Sequence, residues 1–339
     1  MILTRSSLTL SLPPALDLSA GTHVTIGNFD GVHLGHQALL ARTRERAARE
    51  GCPAVAVTFE PHPLEVLTPH APPRLTTTPA RLALLEAAGM DLVLLVRFTR
   101  EFAAMTPEAF VRRLLLDGLR MRRLSLGHDF SLGRGRSGTP ERLAAIGRSS
   151  GFSVHTLAPF TINGATVSST RVRELLLAGR PREAAALLGR PHAVRGEVVH
   201  GLQRGGTLGF PTANLTESGV MLPRPGVYAT LASLPPASSH LPALHAPLGS
   251  EAACTASGTV WPAVTNIGHN PTFGPAGLSV ETHLLGFSGD LYGRQLEVAF
   301  VERLRDEVAF SGPDELVAQI AADVRKAEQV LADPASSRQ

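Results

Sequence analysis

The stretch Val24-Thr-Ile-Gly-Asn-Phe-Asp-Gly-Val-His-Leu-Gly-His-Gln37 decides how the first half of this chain is read. Its β-branched, apolar start ends at Gly27, the loop Asn28-Phe29-Asp30-Gly31 follows, and a helical pattern opens with His33 and His36. Spaced i and i+3, both imidazoles fall on one face of the first turn. Gly35 between them adds no side chain, so a ligand can approach the backbone. A strand, a glycine-containing turn and a helix N-terminus together make an anion site, with free N–H groups and the positive end of the helix dipole aimed at the ligand. Two imidazoles beside it suit a polyphosphate, because they can donate hydrogen bonds to oxygens that gain charge as pyrophosphate leaves. Taken alone, such a pair also reads as a surface or core pair, or as half of a metal site. Zinc is disfavoured by the lack of His-Glu-x-x-His, of a nearby Cys pair and of a compact third ligand.

A second segment, Val167-Ser-Ser-Thr-Arg-Val-Arg173, precedes a helical pattern from Glu174 to Ala178 that stops at Gly179. Ser168 or Ser169 is a natural N-cap. The hydroxyls of Ser168, Ser169 and Thr170, the free N–H groups and the guanidiniums of Arg171 and Arg173 can converge on one phosphate, which arginine grips in a planar fork. By itself the segment also reads as a capped helix with solvated arginines.

Working outward, strand-like runs at Val24–Ile26, Ala54–Phe59, Leu92–Phe98, Arg123–Leu126 and Val154–Leu157 alternate with helical patterns at Gln37–Glu50, Pro79–Ala88, Thr106–Leu119 and Pro140–Ser149. Such alternation predicts a doubly wound parallel sheet with its ligand at the carboxyl ends of the strands. The loops Gly27–Gly31, Glu60–Pro63 and Gly127–Gly138 fall at those ends. After Gly179 the grammar changes. A short helix at Pro181–Leu188 is followed by short strands and Gly/Pro turns, with no long helix until Pro313, which predicts an antiparallel barrel or sandwich with one terminal helix. There, Gly201, Gly205, Gly206 and Thr207 lie in a Gly-rich turn whose N–H groups can wrap phosphates. Thr212 and Asn214 fall on one face of an extended segment, as hard oxygen donors suited to a Mg²⁺ that is also held by ATP.

Composition narrows the field. The 339 residues are 43% hydrophobic and 18% charged, with a formal net charge of +3, the balance of an ordinary soluble globule that does not demand nucleic acid. Cys52 and Cys254 are the only cysteines, which fits buried thiols in a reducing compartment. The opening residues lack a basic then apolar secretory pattern, and no apolar run is long enough to span a membrane. Lys326 is the only lysine. That excludes a P-loop lysine, a protein-kinase strand lysine and a Schiff-base lysine over the first 325 residues, so phosphates must be held by Arg, His, hydroxyls and backbone.

The two N-terminal segments together resemble the HxGH and SSTxxR signatures of the adenylyl-transferring nucleotidyltransferases. The wording from Gly27 to His36 is similar to that of the bacterial bifunctional riboflavin kinase/FAD synthetases. Leu208-Gly-Phe-Pro-Thr-Ala-Asn-Leu215 resembles the riboflavin kinase signature. Pro225-Gly-Val-Tyr228, Thr265–Phe273, Val280-Glu-Thr-His-Leu284, Gly289–Gly293 and Leu304-Arg-Asp-Glu307 with Phe310 follow in family order, so the likeness runs from about Gly21 to Val330.

The resemblance implies an α/β Rossmann-like nucleotidyltransferase domain at residues 1–186, followed at 187–339 by an antiparallel, riboflavin kinase-like β-barrel with a C-terminal helix. It implies phosphorylation of riboflavin by ATP to FMN in the second domain and adenylylation of FMN to FAD, with release of pyrophosphate, in the first. Gly27, Asn28, Phe29, Asp30, Gly35, Ser168, Ser169, Thr170, Arg171, Arg173, Gly201, Gly205, Gly206 and Thr207 would then bind ATP phosphates, with His33 and His36 catalytic. Phe59, His62, Asp129 and Arg305 would neighbour the flavin. Thr212 and Asn214 would hold Mg²⁺ with ATP, and Glu281 would take the proton from the flavin 5′-hydroxyl. Riboflavin, FMN, FAD and ATP are the partners implied, with no nucleic acid or membrane and a cytoplasmic location; nothing specifies an oligomeric state. Two departures stand out. Leu132 replaces the family's usual aromatic, and the Pro/Ala/Ser-rich stretch Leu231–Trp261 is longer than the family's strand connection, predicting a partly disordered surface excursion. Residues Pro334–Gln339 read as a frayed tail. Two other readings stay open: an adenylyl transferase for a pantetheine- or nicotinamide-type acceptor with an accessory barrel, and a non-catalytic flavin- or RNA-binding protein.

Overall fold

The alternating β-branched and helical stretches of the first half build a six-stranded parallel sheet. In the computed structural model, which describes residues 2–5, 17–201, 209–216, 218–235, 259–269 and 278–332, the chain runs β1 (Ile2–Arg5), β2 (Thr22–Ile26), α1 (Leu34–Arg49), β3 (Ala54–Glu60), α2 (Pro63–Leu67), α3 (Thr78–Ala87) and β4 (Leu92–Arg97). It continues through α4 (Arg100–Ala103), α5 (Pro107–Phe110), β5 (Met121–Gly127), α6 (Pro140–Ser150), β6 (Ser153–Leu157) and the small hairpin β7 (Thr161–Ile162) and β8 (Ala165–Thr166). The strand order is β1-β4-β3-β2-β5-β6, every neighbouring pair parallel. From β2 the chain steps to β3 and β4 on one side, then returns to β5 and β6 on the other. This reversal opens a crevice at the carboxyl ends of β2 and β5, where open α/β sheets take their ligands. The loops after Ile26 and after Gly127 therefore flank it.

All five strands expected from the sequence are present, and β1 adds a sixth. The helix expected at Thr106–Leu119 forms differently. Thr106 caps α5, its Oγ1 accepting from the Ala109 N–H at 3.2 Å. The chain then widens into a π-helical turn over Val111–Leu116. Inward-facing Val24, Ile26, Val57, Leu94, Leu124 and Leu126 form the core of the sheet with Phe110 and Leu115.

The alternate face carries buried polar groups. His23 Nε2 lies 2.9 Å from Ser125 Oγ. Desolvation, with smaller contributions from His155, Arg46 and Arg123 against the opposing Glu50, pushes the His23 imidazole from 6.5 down to about 4. The unfolded chain binds this proton below about pH 6.5 and the folded chain only near pH 4, so stability falls as pH drops through that window. His23 alone removes up to about 2 kcal/mol between pH 7 and pH 5. Urea unfolding at the two pH values will show this difference, and His23→Gln will shrink it.

The second unit is built from α7 (Ser169–Leu177), α8 (Pro181–Leu188), β9 (His192–Val199), β10 (Ala213–Leu215), β11 (Gly226–Ser233), β12 (Val260–His269), β13 (Leu278–Leu284), β14 (Gln295–Arg305) and α9 (Pro313–Ala332). The strands close into a barrel in the order β10-β13-β12-β11-β14-β9, with every described pair antiparallel. Of the barrel or sandwich expected, the barrel forms. Tyr228, Ile267, Leu296, Val298 and Phe300 are among the residues that fill it. α9 packs its buried Ala327 with Val324 against Val227, Ala229 and Val264 of the barrel.

Contacts divide the chain into one unit of residues 1–73 and 78–167 and another of 74–77 and 168–339. Helices α7 and α8 thus group with the barrel, and Arg182 of α8 pairs with Glu302 of β14 at 2.7 Å. Gly205, Gly206, Thr207, Asn270–Phe273, Cys254, the 236–258 part of the long connection and the Pro334–Gln339 tail lie outside the described residues. Among the described residues, no helix is long and apolar enough to cross a membrane.

Candidate active sites

The loop after β2 is strained and tightly held. Phe29 and Val32 both take left-handed backbone angles (φ 50° and 41°), costly for an aromatic and a β-branched residue. Burial of both side chains enforces this, and the Val32 N–H bonds the Phe29 carbonyl at 3.1 Å. α1 begins at Leu34, so His33 is its N-cap, the imidazole Nδ1 accepting from the His36 N–H at 3.3 Å. With Nδ1 accepting, a neutral His33 carries its proton on Nε2 and can donate from there. The expected common face is borne out: the rings of His33 and His36 stack at 3.6 Å and 15°, and Phe29 packs its edge against His36 at 5.3 Å. His33 is only 6% exposed. Burial, and then the neighbouring His33, hold the His36 imidazole well below the usual histidine range, so it is neutral at pH 7. A Cβ on Gly35 would press to 3.2 Å on the His33 ring, which is why glycine stands between the two histidines.

The loop after β3 lies beside this one, because β2 and β3 are neighbours in the sheet. His62 caps α2, its Nδ1 accepting from the Leu64 N–H at 3.2 Å. Phe59 is turned inward, 8% exposed, with ring contacts to Phe98 and Phe102 at 5.6 and 6.0 Å. Arg81 of α3, which sequence reasoning did not single out, is buried here and bonds Asn28 O in the loop after β2 at 3.1 Å and Phe59 O near the end of β3 at 2.8 Å.

Across the crevice, Asp129 is 81% exposed beside His128. Leu132 exchanges backbone hydrogen bonds with Gly138, at 3.2 and 2.9 Å, and packs on the core. The loop therefore closes on an aliphatic side chain. In the second unit, Ser168 is the N-cap of α7, its Oγ accepting from the Arg171 N–H at 3.2 Å. Arg171 pairs with Glu174 at 3.1 Å on the exposed face, Thr170 is exposed, and Ser168, Ser169 and Arg173 are half-buried.

In the barrel, register assembles the third cluster. Glu281 of β13 stands opposite Asn214 of β10 on one side and Asn266 of β12 on the other, so a carboxylate is flanked by two carboxamides on one face. Asn214 is 5% exposed, and among the described residues its buried Oδ1 has no hydrogen-bond partner. A Cβ on Gly201 would collide with the Asn214 amide, so that glycine is needed for close approach. Thr212 lies half-buried just before β10, where the Pro211 carbonyl bonds His283 Nδ1 at 2.8 Å. Among the described residues, no group of three or more His, Cys, Asp or Glu is placed to hold a metal ion. The donors present, Asn214 Oδ1 and the Thr212 hydroxyl, are hard oxygens of the kind Mg²⁺ accepts when phosphates complete its shell. Arg305 forks onto Asp323 of α9, with Nη2 to Oδ2 at 2.8 Å, and sits 5.8 Å over the Phe310 ring. Its guanidinium is thus engaged by Asp323, where the resemblance makes it a neighbour of the flavin.

Known proteins carry the same pattern. The FAD synthetase family profile matches residues 17–171 and the riboflavin kinase profile matches residues 188–331. The bifunctional riboflavin kinase/FMN adenylyltransferase of Pseudomonas fluorescens is 40% identical over 325 residues, 94% of this chain and 95% of the relative. That of Escherichia coli strain K12 is 40% identical over 304 residues, 89% of this chain and 90% of the relative. A crystal structure described as a macrolide-efflux protein from Streptococcus pneumoniae matches with a TM-score of 0.80 at 27% identity, over 98% of this chain and 99% of that one. Two profiles in the order of the two motif sets, and relatives matched along nearly their whole length, agree on one assignment: the chain belongs to the bifunctional riboflavin kinase/FMN adenylyltransferase family.

Proposed function

We propose that this chain makes FAD from riboflavin in two ATP-dependent steps, residues 187–339 phosphorylating the vitamin and residues 1–186 adenylylating the product. The observation that carries the proposal is the pairing, on one chain, of a stacked His33–His36 cap beside a strained anion loop with a barrel in which Glu281 stands between Asn214 and Asn266.

In the first step the flavin 5′-hydroxyl attacks the γ-phosphorus of ATP, Glu281 takes the hydroxyl proton, and ADP leaves. Thr212 and Asn214 would hold Mg²⁺ with ATP, and Gly201, Gly205, Gly206 and Thr207 would wrap the phosphates through backbone N–H groups. Bound there, the ion would neutralise charge on the transferring phosphoryl group. In the second step a phosphate oxygen of FMN attacks the α-phosphorus of another ATP; the bond to the β-phosphate oxygen breaks and pyrophosphate departs. FMN is already a nucleophile, so the protein needs only to align it and to stabilise the departing charge. Gly27, Asn28, Phe29, Asp30 and Gly35 shape the anion loop, with His33 and His36 as donors. Phosphate-binding roles also go to Ser168, Ser169, Thr170, Arg171 and Arg173; Arg171 gives up an exposed ion pair worth under about 1 kcal/mol. Phe59, His62, Asp129 and Arg305 are assigned to the flavin, and the enzyme to the cytoplasm.

Incubation with riboflavin and Mg-ATP, followed by chromatography over time, is the test. FMN rises first and FAD follows, with ADP and pyrophosphate as co-products. Folded protein that leaves riboflavin unchanged overturns the assignment. A pantetheine- or nicotinamide-directed adenylyl transferase has no use for the Pro211-Thr-Ala-Asn214 and Glu281 set, and a flavin-binding protein without catalysis consumes no ATP.

A further inference from the structure

Arg81 bears a charge in a place where the fold alone asks only for an apolar side chain. One turn into α3, among buried Leu82, Leu84 and Leu85, it is 4% exposed. Its guanidinium donates from Nη1 to Asn28 O at 3.1 Å, and from Nη2 to Phe59 O at 2.8 Å and Glu60 Oε2 at 3.2 Å. Glu60 is fixed in turn by the Thr78 hydroxyl, and Asn28 O accepts a second bond from Thr58 Oγ1 at 3.2 Å. Burying a guanidinium is unfavourable unless its donors are satisfied, and a hydrophobic residue of similar volume would commonly hold a helix on a sheet as well. What a hydrophobic residue cannot do is tie two backbone carbonyls at a fixed separation; the planar fork of arginine does.

Asn28 O belongs to the loop at the carboxyl end of β2, and Phe59 O to the penultimate residue of the adjacent β3, just before its own loop begins. Resting on the assignment above, one loop grips the triphosphate and the other lies beside the flavin. We infer that Arg81 is a positioning residue for FMN adenylylation: it sets the spacing of the two loops, and hence the alignment of the FMN phosphate with the α-phosphorus of ATP. It touches neither substrate. The in-line reaction needs the reacting atoms within about 3–3.5 Å, and a misplacement of about 1 Å lowers the rate about 100-fold. Loss of a spacer therefore falls on kcat, while each substrate keeps its own contacts and its KM.

The test uses the full chain with Arg81→Met and Arg81→Lys, measuring kcat and both KM values for FMN adenylylation, riboflavin phosphorylation in the same samples, and thermal unfolding. The lysine variant keeps a cation against Glu60 and remains informative where Arg81→Met does not melt cooperatively. The expected result is a fall in adenylylation kcat of about 100-fold in Arg81→Met, with KM for ATP and FMN nearly unchanged. Arg81→Lys recovers little of it, and riboflavin phosphorylation is unaltered in both. Full recovery in Arg81→Lys makes the residue a simple counter-charge for Glu60 and overturns the inference. So does a KM effect on one substrate with kcat intact, an unaltered kcat, or a kcat loss matched by lost folded protein. His36→Ala is assayed in parallel. If it too leaves adenylylation intact, the assignment of the site has failed; if it is inactive while the Arg81 variants are active, only the spacer role has failed.

Discussion

His36→Ala is expected to abolish FAD formation while FMN formation from riboflavin continues unchanged. The side chain is neutral at pH 7, because burial and the His33 ring stacked on it hold its pKa well below the usual range. Two protonated imidazoles at that separation would repel, and burial keeps His36 the neutral member of the pair. In the proposed reaction their contribution is hydrogen bonds to oxygens that gain charge only as pyrophosphate leaves. Removing one donor to such a developing anion lowers the rate about 10²–10³-fold. Alanine also deletes the ring between Phe29 and His33, which loosens a loop whose left-handed angles depend on packing. FMN as the only flavin reads the adenylylation step, and riboflavin reads the kinase step. Loss of both activities in a well-folded variant would contradict two separate sites.

Glu281→Gln is expected to do the reverse, silencing riboflavin phosphorylation while supplied FMN is still converted to FAD. The substitution keeps shape while removing the charge and basicity and turning one acceptor oxygen into a donor NH2. It leaves a carboxamide between Asn214 and Asn266, so the barrel register is undisturbed. A positioned general base contributes about 10²–10⁴-fold, and the kinase rate falls by that factor. Progress curves with riboflavin or with FMN separate the two steps. A glutamine variant with near-normal phosphorylation would move the base elsewhere.

Much of this architecture was legible in single stretches of sequence, and the reasons for the gaps are physical. The strand at Val24–Ile26, the turn at Gly27 and the histidine pair announce themselves locally, because strand period, turn chemistry and helix face are set by neighbours within a few residues. β1 did not, since four residues carry little periodicity and its partner is remote, with Ile2 opposite Val93. Arg81 reads as a solvated helix residue until tertiary placement buries it. Phe59 ends a strand-like run and by resemblance neighbours the flavin, while Phe98 and Phe102, some forty residues on, pack against it in the core. The row Asn214–Glu281–Asn266 is a product of register across three strands, and no spacing within one strand encodes it. Arg305 found its carboxylate in Asp323, a helix away. Family resemblance bridged several of these gaps where residue spacing alone left alternatives.

Closure of the barrel has a consequence for how each half fails. Six strands joined in a ring leave, among the described residues, no strand without a partner on each side. The parallel sheet, by contrast, ends at β1 and β6, and each rim can template a foreign strand. Intermolecular β-pairing after partial denaturation is therefore a hazard of the half that adenylylates, while the ring withstands it for as long as it stays shut.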